Sequence, residues 1–345
     1  MLTKLEVQNF RSIENCDVEF APITIFFGPT SSGKSTLFYA LLVLRNFILS
    51  PTQAVDGLFN LGFQNLGGFE ACIFNHAASK AMGVTARFGK RQSYGLHLRK
   101  TDADINEGSE FLPMEAKVPI PYGANQSWPF SYTEKDEEFV INWNGFAATV
   151  SSKSGTPEAQ AKAVSIAAEL NAPVEAIKRV DVCPHRRGFF KPSYSPAPLT
   201  PTPTSEDEVA TLIINDQNSP PRISINTVEI FDRDFRTHTA PGTATTFLQT
   251  TEQKGARVLT HLATEEEKQL AFTTHSEQFL LSILACVKEG LLSPDQLRCY
   301  HVSREKKQTT FTYEPVSGTG QISGGLSSFM EGELQDIKSF LSVSQ

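Results

Sequence analysis

Residues 28–36 read GPTSSGKST, and the apolar run ITIFF stands directly before them at 23–27. The pattern G-x-x-x-x-G-K-[ST] describes a loop whose backbone N–H groups wrap phosphate oxygens. Gly28 and Gly33 permit the tight backbone path, and Pro29, Thr30, Ser31 and Ser32 fill the loop between them. Lys34 is placed to reach the β- and γ-phosphates, and the Ser35 hydroxyl to ligate magnesium. Thr36 opens a helix whose N-terminus favours negative charge. A serine-rich turn with an exposed lysine is the bland alternative. The flanks decide against it. A buried type of strand enters the loop, and Leu37, Ala40, Leu41, Leu44 and Phe47 share one broad helical face after it. Pro51 marks the end of that helix. The chain has no NKxD guanine reader, which leans towards ATP with Mg2+ as the ligand.

Working outward, KLEVQNF and CDVEF alternate as strands do before the loop. Residues 83–100 and 137–150 are strand-rich, and PEAQAKAVSIAAELN (157–171) reads as helix. VCPHRRGFF follows, and then a stretch punctuated by Pro192, Pro196, Pro198, Pro201 and Pro203, which reads as an exposed loop. KGARVLTHLATEEEKQL reads as a helix leading into the strand AFTT at 271–274. SEQFLLSILACVKEG is helical with Ser276 as its cap. LRCYHVS and TTFTYEP are strands, and GELQDIKSFL is a closing helix. No internal repeat is visible.

Composition narrows the class. Hydrophobic residues make up 40 % and charged residues 20 % of 345 residues, which is globular chemistry with length for one large or two modest domains. The net charge of −7 leaves nucleic-acid contact to local basic patches. Five cysteines without a CxxC pair read as reduced thiols and imply no structural zinc. LFYALLVLRNFILS is broken by Arg45 and Asn46, too polar for a spanning helix, and MLTKLEVQNF is not a signal peptide. A soluble cytoplasmic protein is expected.

The opening KLEVQNFRSIENCDVEFAPITIFFGPTSSGKST resembles the ABC-like ATPases related to RecF, SMC and the OLD-type proteins. Asn9, Phe10, Arg11, Ser12 and Ile13 match the N-F-(K/R)-x-(I/F) turn after their first strand. FTTHSEQFLLSI resembles their histidine switch, which implies that His275 acts catalytically beside Lys34 as a γ-phosphate sensor. CPHRRG at 183–188 and the tail from Tyr300 are similar to the prokaryotic AAA-like branch. The resemblance implies a P-loop NTPase fold, an ABC-head-like mixed α/β sheet with flanking helices and an inserted strand-rich and helical region. The expected division is 1–60 and 201–345 for the two halves of the core and 61–200 for the insertion. It implies that AFTT pairs with ITIFF. It further implies ATP clamped between two heads, hence a homodimer or another protein partner, with roles on DNA or in phage defence.

Two parts of that pattern are not legible. A hydrolysing site needs an acid pair after a buried strand. PGTATTFLQTTEQKG (241–255) offers Glu252 alone, without an apolar run. VEIFDRDF (228–235) offers Glu229, Asp232 and Asp234 but reads equally well as helix, and Glu265, Glu266 and Glu267 read as a solvated run. SGG at 323–325 follows the histidine instead of preceding the acid pair, and reads as a turn rather than a signature. The expectation is that signature, acid strand and turn are missing before Lys254, so that AFTT keeps an uncovered edge unless the 245–253 linker caps it. Two functions follow: an ATPase head with weak turnover, or a nucleotide-sensing module that regulates a partner. Each remaining candidate has its bland reading beside it. His275 also reads as a core histidine. His185, Arg186 and Arg187 read as a phosphate contact or a solvated turn. Arg87, Lys90, Arg91, Arg99 and Lys100 read as a DNA-backbone face or an ordinary charged surface. Gln64 is a candidate magnesium contact. The tail after the histidine switch has only scattered carboxylates, such as Glu305, Glu314 and Asp336, and no D-x-D nuclease cluster.

Overall fold

The computed structural model describes residues 1–50, 53–113, 115–120, 126–183, 223–227, 255–274 and 276–323. The proline-rich stretch 192–208, His185 to Arg187, VEIFDRDF, Glu252 and GELQDIKSFL lie outside the described residues, as do Pro51 and His275. The chain forms two compact units, Met1–Val18 with Phe38–Val180, and Glu19–Leu37 with Asp181–Gln345. The expected segments 1–60, 61–200 and 201–345 cut it differently. In space, the first strands and the strand-rich insertion form one body, and the phosphate loop belongs with the C-terminal half.

The first unit holds a six-stranded sheet built from β1 (Leu2–Phe10), β2 (Ile13–Glu19), β4 (Met82–Phe88), β5 (Gln92–Leu98), β6 (Ala103–Gly108) and β7 (Ala116–Ile120). Its order is β2-β1-β4-β5-β6-β7. Period-two alternation drives it. Leu5, Val7, Val84, Ala86, Leu96 and Ile105 are buried, while Lys4, Glu6 and Arg87 stand on the other side. The turn after β1 is the N-F-R-S-I segment. Asn9 and Arg11 sit at positive φ, and Asn9 Nδ2 donates to Ala81 O while Phe10 and Ile13 are fully buried. A second sheet, β8 (Trp128–Glu134), β9 (Glu137–Trp143) and β10 (Ala148–Ser152), has the order β10-β9-β8.

Of the helices, α1 is Lys34–Leu49 and α2 is Pro157–Lys178. Thr156 caps α2 by accepting from Ala159 N, and Ala159, Ala163, Ile166, Leu170, Val174 and Ile177 form its buried stripe. The helix runs beyond the expected residue 171, through Pro173. A proline there removes the N–H that would bond Glu169 O. Gln92 Nε2 donates to that carbonyl at 3.0 Å, so the helix continues without an orphaned acceptor.

One acidic residue lies in this core. Glu107 is 1 % exposed and faces Tyr94 in the β5–β6 register. Neither carboxyl oxygen has a hydrogen-bond partner. Burial pushes its carboxyl well above the usual range. Tyr94 donates its hydroxyl to Gly145 O at 2.8 Å.

The second unit is built on β3 (Ile23–Phe27), β11 (Asp181–Cys183), β12 (Ile223–Thr227), β13 (Gln269–Thr274), β14 (Leu297–Glu305) and β15 (Gln308–Glu314). Its order is β11-β12-β13-β3-β14-β15, parallel throughout except for the antiparallel pair β14–β15. Every residue of β3 is buried, as a strand between two others and under helices must be. Ile23, Ile25 and Phe27 join a core with Phe272, Phe279 and Ile283. Helix α3 (255–264) contributes Ala256 and Ala263, and α4 (Glu277–Lys288) packs Phe279 edge-on to Phe272 at 6.1 Å. On the other side of the sheet Phe26 stacks on Tyr300 at 5.5 Å.

The strand pairing confirms AFTT beside ITIFF: Leu270 to Thr274 lie opposite Ile23 to Phe27. The expected bare edge does not exist. Residues Ile223–Thr227 pair in parallel along β13, so the acid-strand position is filled, and not by the 245–253 linker. Among the described residues no helix is long and apolar enough to cross a membrane.

Candidate functional site

The loop GPTSSGKST connects β3 to α1 within the second unit. Its backbone takes the path anticipated for its glycines. Gly28 has φ +141° and Gly33 φ +101°, and Ser31 also lies at positive φ, 64°. Gly28 is required on a second count. A Cβ there would stand 2.3 Å from Val302 O on β14. Ser32 N donates to Pro29 O, and Thr36 N to Gly33 O as the helix begins. Pro29, Thr30 and Ser31 are exposed, whereas Ser32, Lys34 and Thr36 are buried.

Lys34 is 5 % exposed, and its Nζ donates to Gly28 O at 3.0 Å and Pro29 O at 2.8 Å. The ammonium is thus curled into the loop and held by main-chain carbonyls. The first turn of α1 carries no acidic residue, so nothing there opposes the helix dipole's attraction for an anion. Ser35, half-buried, follows Lys34 at the same helix start. A loop with such glycines, a central ammonium and a carboxylate-free helix N-terminus fits a polyphosphate. Ser35 is the residue in it with the chemistry to hold magnesium.

The neighbouring strand ends frame the loop. Thr274, the last residue of β13, is level with Phe27, immediately before Gly28. Its Oγ1 accepts from Ser276 N, and Ser276 Oγ accepts from Phe279 N as the cap of α4. His275, the sequence-predicted sensor, follows Thr274 in the chain and lies outside the described residues. On β12, Thr227 is level with Thr273, and the strand ISINT contains no carboxylate. Glu229 and Asp232 come after it and are likewise outside the described residues.

Other candidates are engaged elsewhere. Gln64 Oε1 accepts from Tyr39 OH at 2.9 Å within the first unit. On that unit's polar sheet face a groove of about 810 Å3 is lined by Glu6, Thr85, Arg87, His97, Asn106 and Lys117. Four of the five cations expected to form a basic face are matched by acids. Arg87 grips Glu6 at 2.7 and 3.0 Å, Arg91 pairs with Glu110, Arg99 with Asp102 and Asp104, and Lys100 with Glu70. Burial pushes the Glu6 carboxyl up, but hydrogen bonds from Arg87 and Lys4 outweigh it and hold it below the usual range. Paired in this way, the face reads as an ordinary charged surface.

One contact had no sequence signal. Thr309 on β15, 1 % exposed, donates its hydroxyl to Ser32 O at 2.9 Å. Nothing distinguishes this threonine from its neighbours in TTFTYEP.

A parallel sheet with the phosphate loop between its central strand and a helix defines the P-loop α/β class. Comparison with known proteins agrees over the loop: the family described as "AAA domain" matches residues 4–47. No curated protein matches the chain. Among solved structures the chain is similar to the SMC head domain from Thermotoga maritima, at 11 % identity and a TM-score of 0.37, over 92 % of this chain and 99 % of that one. At that TM-score the likeness carries no weight of its own, and the fold stands on strand order and loop geometry.

Proposed function

We propose that this chain is a Mg-ATP-binding P-loop core whose turnover is slow and whose bound nucleotide governs contact with another protein. The observation that supports it most is Lys34, buried inside its loop with the ammonium among carbonyls and a carboxylate-free helix start behind it. Phosphates replacing those carbonyl partners would meet an ammonium already desolvated and positioned, which strengthens a charge-assisted contact. Slow turnover is inferred from β12, which reaches the place of an acid strand without bringing a carboxylate of its own. A partner of different sequence is preferred to a second copy, because no signature segment is recognisable to close the clamp. Contact with DNA through the Arg87 to Lys100 face has little support, since most of its cations are already paired.

A second reading, a working hydrolase, is favoured by the same strand. β12 occupies the position from which a carboxylate would be delivered, and Glu229 stands two residues beyond it in sequence.

Thermal unfolding with Mg-ATP, and with adenosine as the phosphate-free control, tests the binding claim. A ligand at a hundredfold excess over its Kd adds about 2.7 kcal/mol to stability. Mg-ATP is expected to raise Tm and adenosine to leave it unchanged. Equal effects of the two would show that the phosphate loop is not the binding element.

A further inference from the structure

The β14–β15 hairpin touches the phosphate loop at both of its ends. Residues Leu297 to His301 of β14 pair with β3, so the strand up to that point is ordinary sheet. From Val302 to Glu305 it runs on past the last paired residue of β3 with β15 beside it, where Gln308 to Phe311 lie opposite. At about 3.3 Å per residue, four residues extend on the order of 13 Å alongside the loop. The Val302 carbonyl sits where a Cβ of Gly28 would be, at 2.3 Å. Thr309 Oγ1 donates to Ser32 O at 2.9 Å, across 277 residues of sequence. Ser32 is 3 % exposed, and its own Oγ has no hydrogen-bond partner, so its main chain alone ties it to the hairpin.

The Thr309 contact has a directional consequence. In a trans peptide unit the C=O and the following N–H point opposite ways. Holding Ser32 C=O towards Thr309 therefore turns Gly33 N–H away from the hairpin. Gly33 gives little steric resistance to a flip of that peptide, so an outside hydrogen bond is what selects one orientation. We propose that Thr309 is a positioning residue for the phosphate loop. Its hydroxyl fixes the Ser32–Gly33 peptide so that the amide is presented to phosphate before the nucleotide arrives, while Val302 fixes the loop's entry. The inference rests on the nucleotide-binding reading above. It adds the β14–β15 hairpin to the phosphate site as an outer brace.

Thr309→Val keeps the size and β-branching of the side chain and removes the donor. Thr309→Ser keeps the donor. Calorimetric titration of the full chain with Mg-ATP, and separately with pyrophosphate, is expected to show T309V binding both about tenfold more weakly than wild type. T309S is expected within the wild-type range. Amide hydrogen exchange is expected to rise in T309V over residues 29–34 and not over α4. Wild-type affinity in T309V, or failure of T309S to restore affinity, would overturn the proposal. A T309V protein that does not fold would assign Thr309 to general packing and overturn it as well. A wild-type chain that binds neither probe would instead defeat the nucleotide-binding reading itself.

Discussion

Glu107 shows how a single residue sets a condition on the fold. Its carboxyl is buried opposite Tyr94, and neither oxygen has a hydrogen-bond partner. Burial raises its pKa well above the ordinary 4.5, so the folded chain keeps a proton that the unfolded chain releases. For an acid raised in this way, the stabilisation is complete below the unfolded pKa. It is lost as pH climbs from there towards the folded value. Stability of the wild type should therefore decline as pH rises above about 4.5. Glu107→Gln, neutral at every pH and similar in shape, should flatten that slope and unfold at higher temperature near neutrality. Thermal unfolding of both proteins across the range checks this, and parallel curves would mean that Glu107 is ionised in the fold. Gly28 is the residue-scale counterpart in the second unit. Its φ of +141° and the Val302 carbonyl both exclude a side chain, so one position carries two independent reasons for glycine.

At the scale of elements, the legible parts are those whose cause is local. ITIFF announces a buried strand because four of its five residues are large and apolar, and β3 is buried throughout. Ser276 caps α4 because a serine before an apolar helix has a nearby N–H to satisfy. What was illegible depends on partners distant in sequence. Pro173 argues for a helix end, and α2 passes it because Gln92, on another strand, satisfies the stranded carbonyl. Thr309 acquires meaning only from Ser32. The strand ISINT has three polar residues, Ser224, Asn226 and Thr227, so it does not read as a continuous apolar run, yet β12 pairs with β13 from Gln269 to Thr273. That strand sharpens the hydrolysis question. Glu229→Gln, Asp232→Asn and Glu252→Gln are each expected to leave a slow Mg-ATP turnover nearly unchanged. A well-placed general base would contribute about 10²- to 10⁴-fold. Collapse of a robust rate in Glu229→Gln, with ATP binding retained, would make Glu229 the catalytic acid and the chain a working hydrolase.

For the molecule as a whole, the phosphate loop and its frame lie within one compact unit, from β3 through α1's first turn to β13, β14 and β15. The strand-rich segment supplies a separate body with a charge-compensated sheet face. Both the slow turnover and the nucleotide-governed contact proposed for this chain require that loop to hold nucleotide phosphates. The direct measurement is calorimetric titration of Mg-ATP into the wild type and into Lys34→Ala at matched salt. Removing an ammonium that bonds an ionised phosphate costs roughly 10- to 100-fold in affinity. The predicted result is saturable wild-type binding, with Lys34→Ala weaker by that factor and folded to the same Tm. Equal affinity in the two proteins, or no binding in the wild type, would contradict it.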